Sequence, residues 1–195
     1  MDKLKELFSP ECDYATSKEK CKHLAAQPIL ALELEKIQVS EHSPSLVLDD
    51  ENIARQIFSP IHYDNDNGSI KPSAFDDVSS KGMSVNREQY ITSEEIHCAA
   101  LKKEYADNER SLSTGGQARS YIGFASASVK DIRSFIDEQQ RVFAVYDSSL
   151  VDFIPHADVC MIYQDTNQPA GKKWVKNYRR KKLQELFSTV ILIAK

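Results

Sequence analysis

Between Ile53 and Arg87 the chain repeatedly sets a polar or charged residue against a short apolar run, and this pattern constrains the fold more than any other feature. Ile57-Phe58, Ala74-Phe75, Met83 and Val85 are residues bound for a core. Arg55, His62, Ser84, Asn86 and Arg87 stand beside them and are carried to its edge. A guanidinium taken out of water needs a partner anion, because an unpaired buried charge costs several kcal/mol. Arg55 and Arg87 therefore each meet either a carboxylate of this chain or an anionic ligand, and the sequence leaves both outcomes open.

A chain of 195 residues suits one domain with an appendage, or two very small ones. Its 41% hydrophobic and 28% charged residues are ordinary for a globular protein. A net charge of −4 argues against a surface that grips nucleic acid everywhere, while permitting a local basic patch. No apolar run approaches the roughly 20 residues of a membrane helix, and the amphipathic start MDKLKELF is not a secretory signal. The four cysteines then read as reduced thiols in a cytoplasmic protein.

Residues 1–45 read as an N-terminal extension packed on a main domain of 46–195, and one whose removal need not unfold the rest. Helices are expected at 2–8 and 17–26, with Gln27-Pro28 as a stop. In the next segment, 29–39, the alternation of Leu30, Leu32 and Leu34 suits a strand, although Leu30, Leu34 and Ile37 also fit a helix. In the main domain, DNDNG at 64–68 signals a turn and 78–82 a loop, followed by a strand at 83–87. Thr92 or Ser93 opens a helix to about Tyr105, and 107–117 reads as a loop. Strands follow at 119–127, 141–146 and 159–163, with a short helix at 129–137 and a longer one at 174–188. The segment 189–194 is either the end of that helix or an edge strand. Strands interrupted by helices without regular βαβ spacing predict an α+β fold, with a mixed or mostly antiparallel sheet and flanking helices.

Arg55, His62, Ser84, Arg87 and His156, the last beside Asp158, are the candidate anion-binding set. Histidine exchanges protons near neutral pH, arginine holds phosphate or carboxylate with two prongs, and serine completes an anion cradle. The bland alternative pairs Arg87 with an acid of the chain and makes His62 and His156 turn residues beside Pro60 and Pro155. A second set is the basic run Lys172, Lys173, Trp174, Lys176, Arg179, Arg180, Lys181 and Lys182. Cations with interleaved aromatics suit a nucleic-acid groove or an acidic partner protein. The alternative is a solvated helix face with Trp174 and Tyr178 turned inward. Cys12, Cys21 and His23, with His97 or Cys98, offer zinc-type ligands, but their spacing matches no usual finger and favours half-buried structural thiols. No metal and no cofactor is expected, because phosphate-loop, dinucleotide, nucleophile-elbow and HExxH motifs are all missing.

The runs ARQIFSP at 54–60, Ala74-Phe75, SVNR at 84–87 and His156-Ala157-Asp158 together resemble a family of short uncharacterised bacterial proteins. The resemblance covers about Ile53 to Tyr163 and implies a bacterial source with mobile-element or defence-related gene neighbours. It carries no assigned catalytic residue. The expectation is a non-enzymatic accessory or adaptor subunit of a bacterial multi-protein system, such as anti-phage defence. It would bind a larger protein of the same operon and, through the basic helix, nucleic acid, with no membrane. The alternatives are a small enzyme acting on a nucleotide or RNA, of ADP-ribosyltransferase or nuclease type, and an antitoxin that occludes a partner's site.

Overall fold

The computed structural model describes residues 2–9, 11–163 and 172–193, without the side chains of 172–176. Four short helices come first: α1 (Asp2–Lys5), α2 (Tyr14–Lys18), α3 (Lys20–Ala25) and α4 (Pro28–Leu34). β1 (Asn52–Ser59), the small hairpin β2 (Tyr63–Asp64) and β3 (Ser69–Ile70), a 3-10 segment Pro72–Ser79, and β4 (Met83–Arg87) follow. Then come α5 (Ser93–Ser113), β5 (Ser120–Ser128), α6 (Val129–Arg133), and a second small hairpin of β6 (Ile136–Asp137) and β7 (Gln140–Arg141). β8 (Phe143–Tyr146), β9 (His156–Met161), α7 (Lys172–Leu186) and β10 (Val190–Leu192) complete the chain. Six strands form one sheet in the order β10-β5-β1-β4-β9-β8, with every neighbouring pair antiparallel. The fold is α+β.

Period-two alternation sorts the strands' side chains onto two faces. Ile53, Ile57, Val85, Val145 and Val159 join the larger core, which the 3-10 segment (Phe75, Val78), α7 (Leu183) and Phe187 just after it cover. The opposite face is covered in two separate places. The N-terminal helices and the 3-10 turn Glu6–Phe8 after α1 supply Leu4, Leu7, Cys21, Leu24, Ala31 and Leu34, which pack on Ala144, Tyr146, Cys160 and Ile162 of the β8–β9 region. At the other side α5 lays Ile96 on Ala54 and Phe124, and Ala100 on Phe58 and Tyr121. Between these covers the middle of the sheet carries the polar side chains of Gln56, Ser84, Asn86 and His156.

The first helices are thus half of a core. Polar contacts fasten them further: Glu35 accepts from Arg133 Nε at 2.8 Å, Arg141 Nη2 at 2.6 Å and the Val145 N–H at 2.7 Å. The Tyr146 hydroxyl donates to the Ala31 carbonyl at 2.9 Å. Lys20 and Asp158 form a buried ion pair of 2.7 Å. Burial alone would push the Asp158 carboxyl up, but Lys20, followed by His156, outweighs it and holds the carboxyl below its ordinary value.

Several elements depart from the sequence reading. Of the two readings open at 29–39, strand or helix, the first part takes the helical one as α4, because Pro28 sits in the first turn, where its missing N–H is harmless, and Ala31 and Leu34 share the buried side. α5 runs through most of the expected loop, to Ser113, started by a reciprocal cap between Thr92 and Glu95. The Pro72–Ser79 segment was not anticipated as helical. The 189–194 segment contains an edge strand, which Gly123 accommodates: a Cβ there would come within 2.2 Å of the Ile191 carbonyl oxygen. Among the described residues no helix is long and apolar enough to cross a membrane.

Candidate functional site

The register between β1 and β4 covers only two residue pairs, Ile53↔Arg87 and Ala54↔Asn86. β1 continues to pair with β5 as far as Ser59, while β4 turns its remaining length to β9. Beyond Ala54 the two central strands are bridged by side chains. Arg55 Nη1 donates to the Ser84 carbonyl at 2.9 Å, and Gln56 Nε2 to Asn86 Oδ1 at 3.4 Å. A cleft of about 450 Å³ opens here, within the size range of small-molecule sites.

The sheet supplies the floor through Arg55, Gln56, Ser84 and Asn86, and α5 supplies one wall through Ala99 and Lys103. Arg119, just ahead of β5, stacks its guanidinium on Phe58 at 4.6 Å from the ring centre. Asn108 fixes the backbone of Arg119 with two hydrogen bonds of 2.8 Å. Lys81, Asp77, His62 and His156 complete the polar lining.

The cations here are incompletely neutralised. Lys81 reaches Asp77 at 3.4 Å, and Asp107, outside the lining, is shared by Arg119, Lys103 and Arg110. Among the described residues Arg55 makes no ion pair: the Ser84 carbonyl is its hydrogen-bond acceptor, and its Nε is buried without one. The Nε of Arg119 is likewise unpartnered. Burial lowers the Arg55 pKa, Asp77 opposes this, and Arg119 reinforces it. Lys103 is lowered by burial, then by Arg119, Arg55 and Lys81. His62 responds most strongly: burial, Arg55, Arg119 and Lys103 push it down to about 3. Its Nδ1 accepts the Phe58 N–H at 3.3 Å, which assigns the ring proton to Nε2. His62 at neutral pH is therefore an uncharged hydrogen-bond donor.

Arg55, His62, Ser84 and His156 of the expected set line one cleft, and Arg87 lies outside it. Arg87 is wholly buried and grips Glu51, with Nε–Oε2 at 2.8 Å and Nη2–Oε1 at 2.7 Å. Its remaining protons go to Ser43, Ser45 and the Leu46 carbonyl. It is a structural cation. His156 is held by the Ser148 carbonyl at Nδ1, 2.8 Å away, with Asp158 4.0 Å from Nε2. Lys81, Lys103, Arg119 and Gln56 belong to the cleft without standing out in the sequence, and Asn86, which the sequence places at the edge of the core but not in the anion set, lines it too.

In the basic helix, Arg179 is buried on Asp137 through two bonds of 2.8 and 3.0 Å, Arg180 reaches Asp76 at 3.1 Å, and Lys182 reaches Glu185 at 2.6 Å. Lys181 is exposed. The side chains of Lys172, Lys173, Trp174 and Lys176 lie outside the described residues. Cys21 is buried in the N-terminal core, Cys12 is half-buried, and Cys98 and His23 are exposed. Among the described residues no group of three or more metal-ligand side chains comes together.

No family model, no curated protein and no solved structure matches this chain.

Proposed function

We propose that this chain binds a phosphate-bearing ligand in the cleft between β1 and β4. The observation that carries the reading is Arg55, a half-buried guanidinium with no carboxylate of its own, facing the same cavity as Arg119, Lys103 and Lys81. Four cations against Asp77 in the lining and Asp107 behind it leave a positive field that an anion relieves. Arginine forks, lysine point charges, the His62 Nε2–H and the Ser84 hydroxyl are donors suited to phosphoryl oxygens. His62 suits binding better than proton transfer, because a histidine held at about pKa 3 is a weak base.

Calorimetric titration of the full chain with pyrophosphate tests this. Arg55→Gln and Arg119→Gln are each expected to weaken binding at least about tenfold, the loss of a charge-assisted hydrogen bond worth about 1.5–3 kcal/mol. Raising ionic strength from about 0.01 to 0.15 M, which shortens the screening length from about 30 to 8 Å, is expected to weaken it further. No heat and no saturation at low salt would remove the reading.

A second reading, that the chain is an accessory subunit docking on a larger protein, is favoured by α5. Leu101, Tyr105 and Leu112 are 45%, 67% and 70% exposed on that helix. Size-exclusion chromatography after co-expression with neighbouring genes tests it, and a chain that always elutes as a monomer counts against it.

A further inference from the structure

A second cavity, of about 630 Å³, adjoins the cationic cleft and shares Lys81, Ser84, Leu150 and His156 with it. The N-terminal helices and the 39–42 segment build its far wall, through Leu7, Phe8, Ser17, Val39 and His42. The two cavities differ in charge. In the second, Asp2, Glu6, Glu41 and Asp158 outnumber Lys5, Lys20 and Lys81, and Asp158 is already bound to Lys20. Apolar side chains and hydroxyls make up much of the remaining wall, so this space offers an anion nothing. It suits an uncharged body that has both apolar faces and hydrogen-bonding edges.

We infer that the two cavities together hold one bipartite ligand of nucleotide type, with its phosphoryl groups between Arg55 and Arg119 and its nucleoside in the N-terminal cavity. This rests on the phosphate-binding reading and extends it to the ligand's class. The direction follows from the charge difference: reversing the ligand would put the phosphates beside Asp158 and Glu41 and the ring among the cations. His156 and Ser84, common to both spaces, stand at the junction where the sugar would lie. The N-terminal segment thereby becomes half of a binding site as well as half of a core.

The test titrates the full chain with pyrophosphate, ADP, CDP, ribose 5-phosphate and adenosine. ADP or CDP is expected to bind at least about tenfold tighter than pyrophosphate, with adenosine alone weak. Ser17→Trp, which fills the second cavity, and His42→Ala are expected to reduce the nucleotide's advantage while leaving pyrophosphate affinity within about twofold. Melting curves check that both variants fold. If all phosphate compounds bind alike, the bipartite ligand is wrong and the anion cleft stands. Ribose 5-phosphate matching ADP assigns the second space to a sugar and overturns the nucleoside. If pyrophosphate and the nucleotides alike fail to bind, both readings fall.

Discussion

Arg87 and Glu51 face each other with both prongs engaged and both side chains out of water, 0% and 2% exposed. Arg55, 32 residues earlier in the same sheet, has no such partner. The two arginines look alike in sequence and do opposite things: one closes a core, the other opens a site.

Breaking the closed pair is expected to be severe. Arg87→Leu leaves Glu51 buried and unpaired, and a loss of about 3–5 kcal/mol follows from removing one member of a buried ion pair. Urea unfolding followed by circular dichroism measures it. A loss under about 1 kcal/mol would mean that water reaches Glu51.

Arg55→Ala is expected to behave in the opposite way. It removes one hydrogen bond and no ion pair, so stability should change by less than about 1 kcal/mol. It also removes the group on which the repulsion of Arg119 acts. Combined denaturation and pyrophosphate titration separate the two roles: intact stability with lost binding identifies a ligand-facing cation.

His62 ties stability to pH. Its folded pKa of about 3 lies below the ordinary 6.5, so the unfolded chain takes up the proton first as pH falls. The stabilisation is fully present above pH 6.5 and is lost between there and about 3, with a slope near 1.4 kcal/mol per pH unit for one proton. His62→Gln should flatten that part of the stability profile. A bound anion offsets the field of Arg55, Arg119 and Lys103, so saturating pyrophosphate should raise the His62 titration seen by NMR. An unmoved titration would detach His62 from the cleft.

Deleting residues 1–45 is expected to leave no stable domain. The deletion uncovers Tyr146, Cys160 and Ile162, strips Lys20 from the buried Asp158, and takes Glu35 from Arg133 and Arg141. Dye binding to exposed apolar surface and a collapsed proton–nitrogen NMR spectrum would report this. A dispersed spectrum would show that the sheet stands without its N-terminal cover.

The periodic and punctuated parts of the fold were legible. Thr92 and Glu95 announce α5, and the apolar runs announce most of the sheet. The segment after Pro28 was ambiguous because Leu30, Leu32 and Leu34 satisfy a strand while Ala31 and Leu34 are what the helix buries. Four cleft residues were found by chemical type beside apolar runs. Lys103 and Arg119 were not, since they stand on α5 and ahead of β5 and meet Arg55 only after the sheet closes. Nor does spacing single out Glu51 from its neighbours Asp49 and Asp50 as the partner of Arg87; the difference is which side of the chain faces inward.

The two-pair register of β1 and β4 means that the hole is in the masonry and not in its trim. Whatever lodges there spans the halves of the sheet where backbone bonds are absent, so occupancy would act as the missing rungs of a ladder. The first sign of a true ligand should then be slowed amide exchange in the central strands, far from any loop.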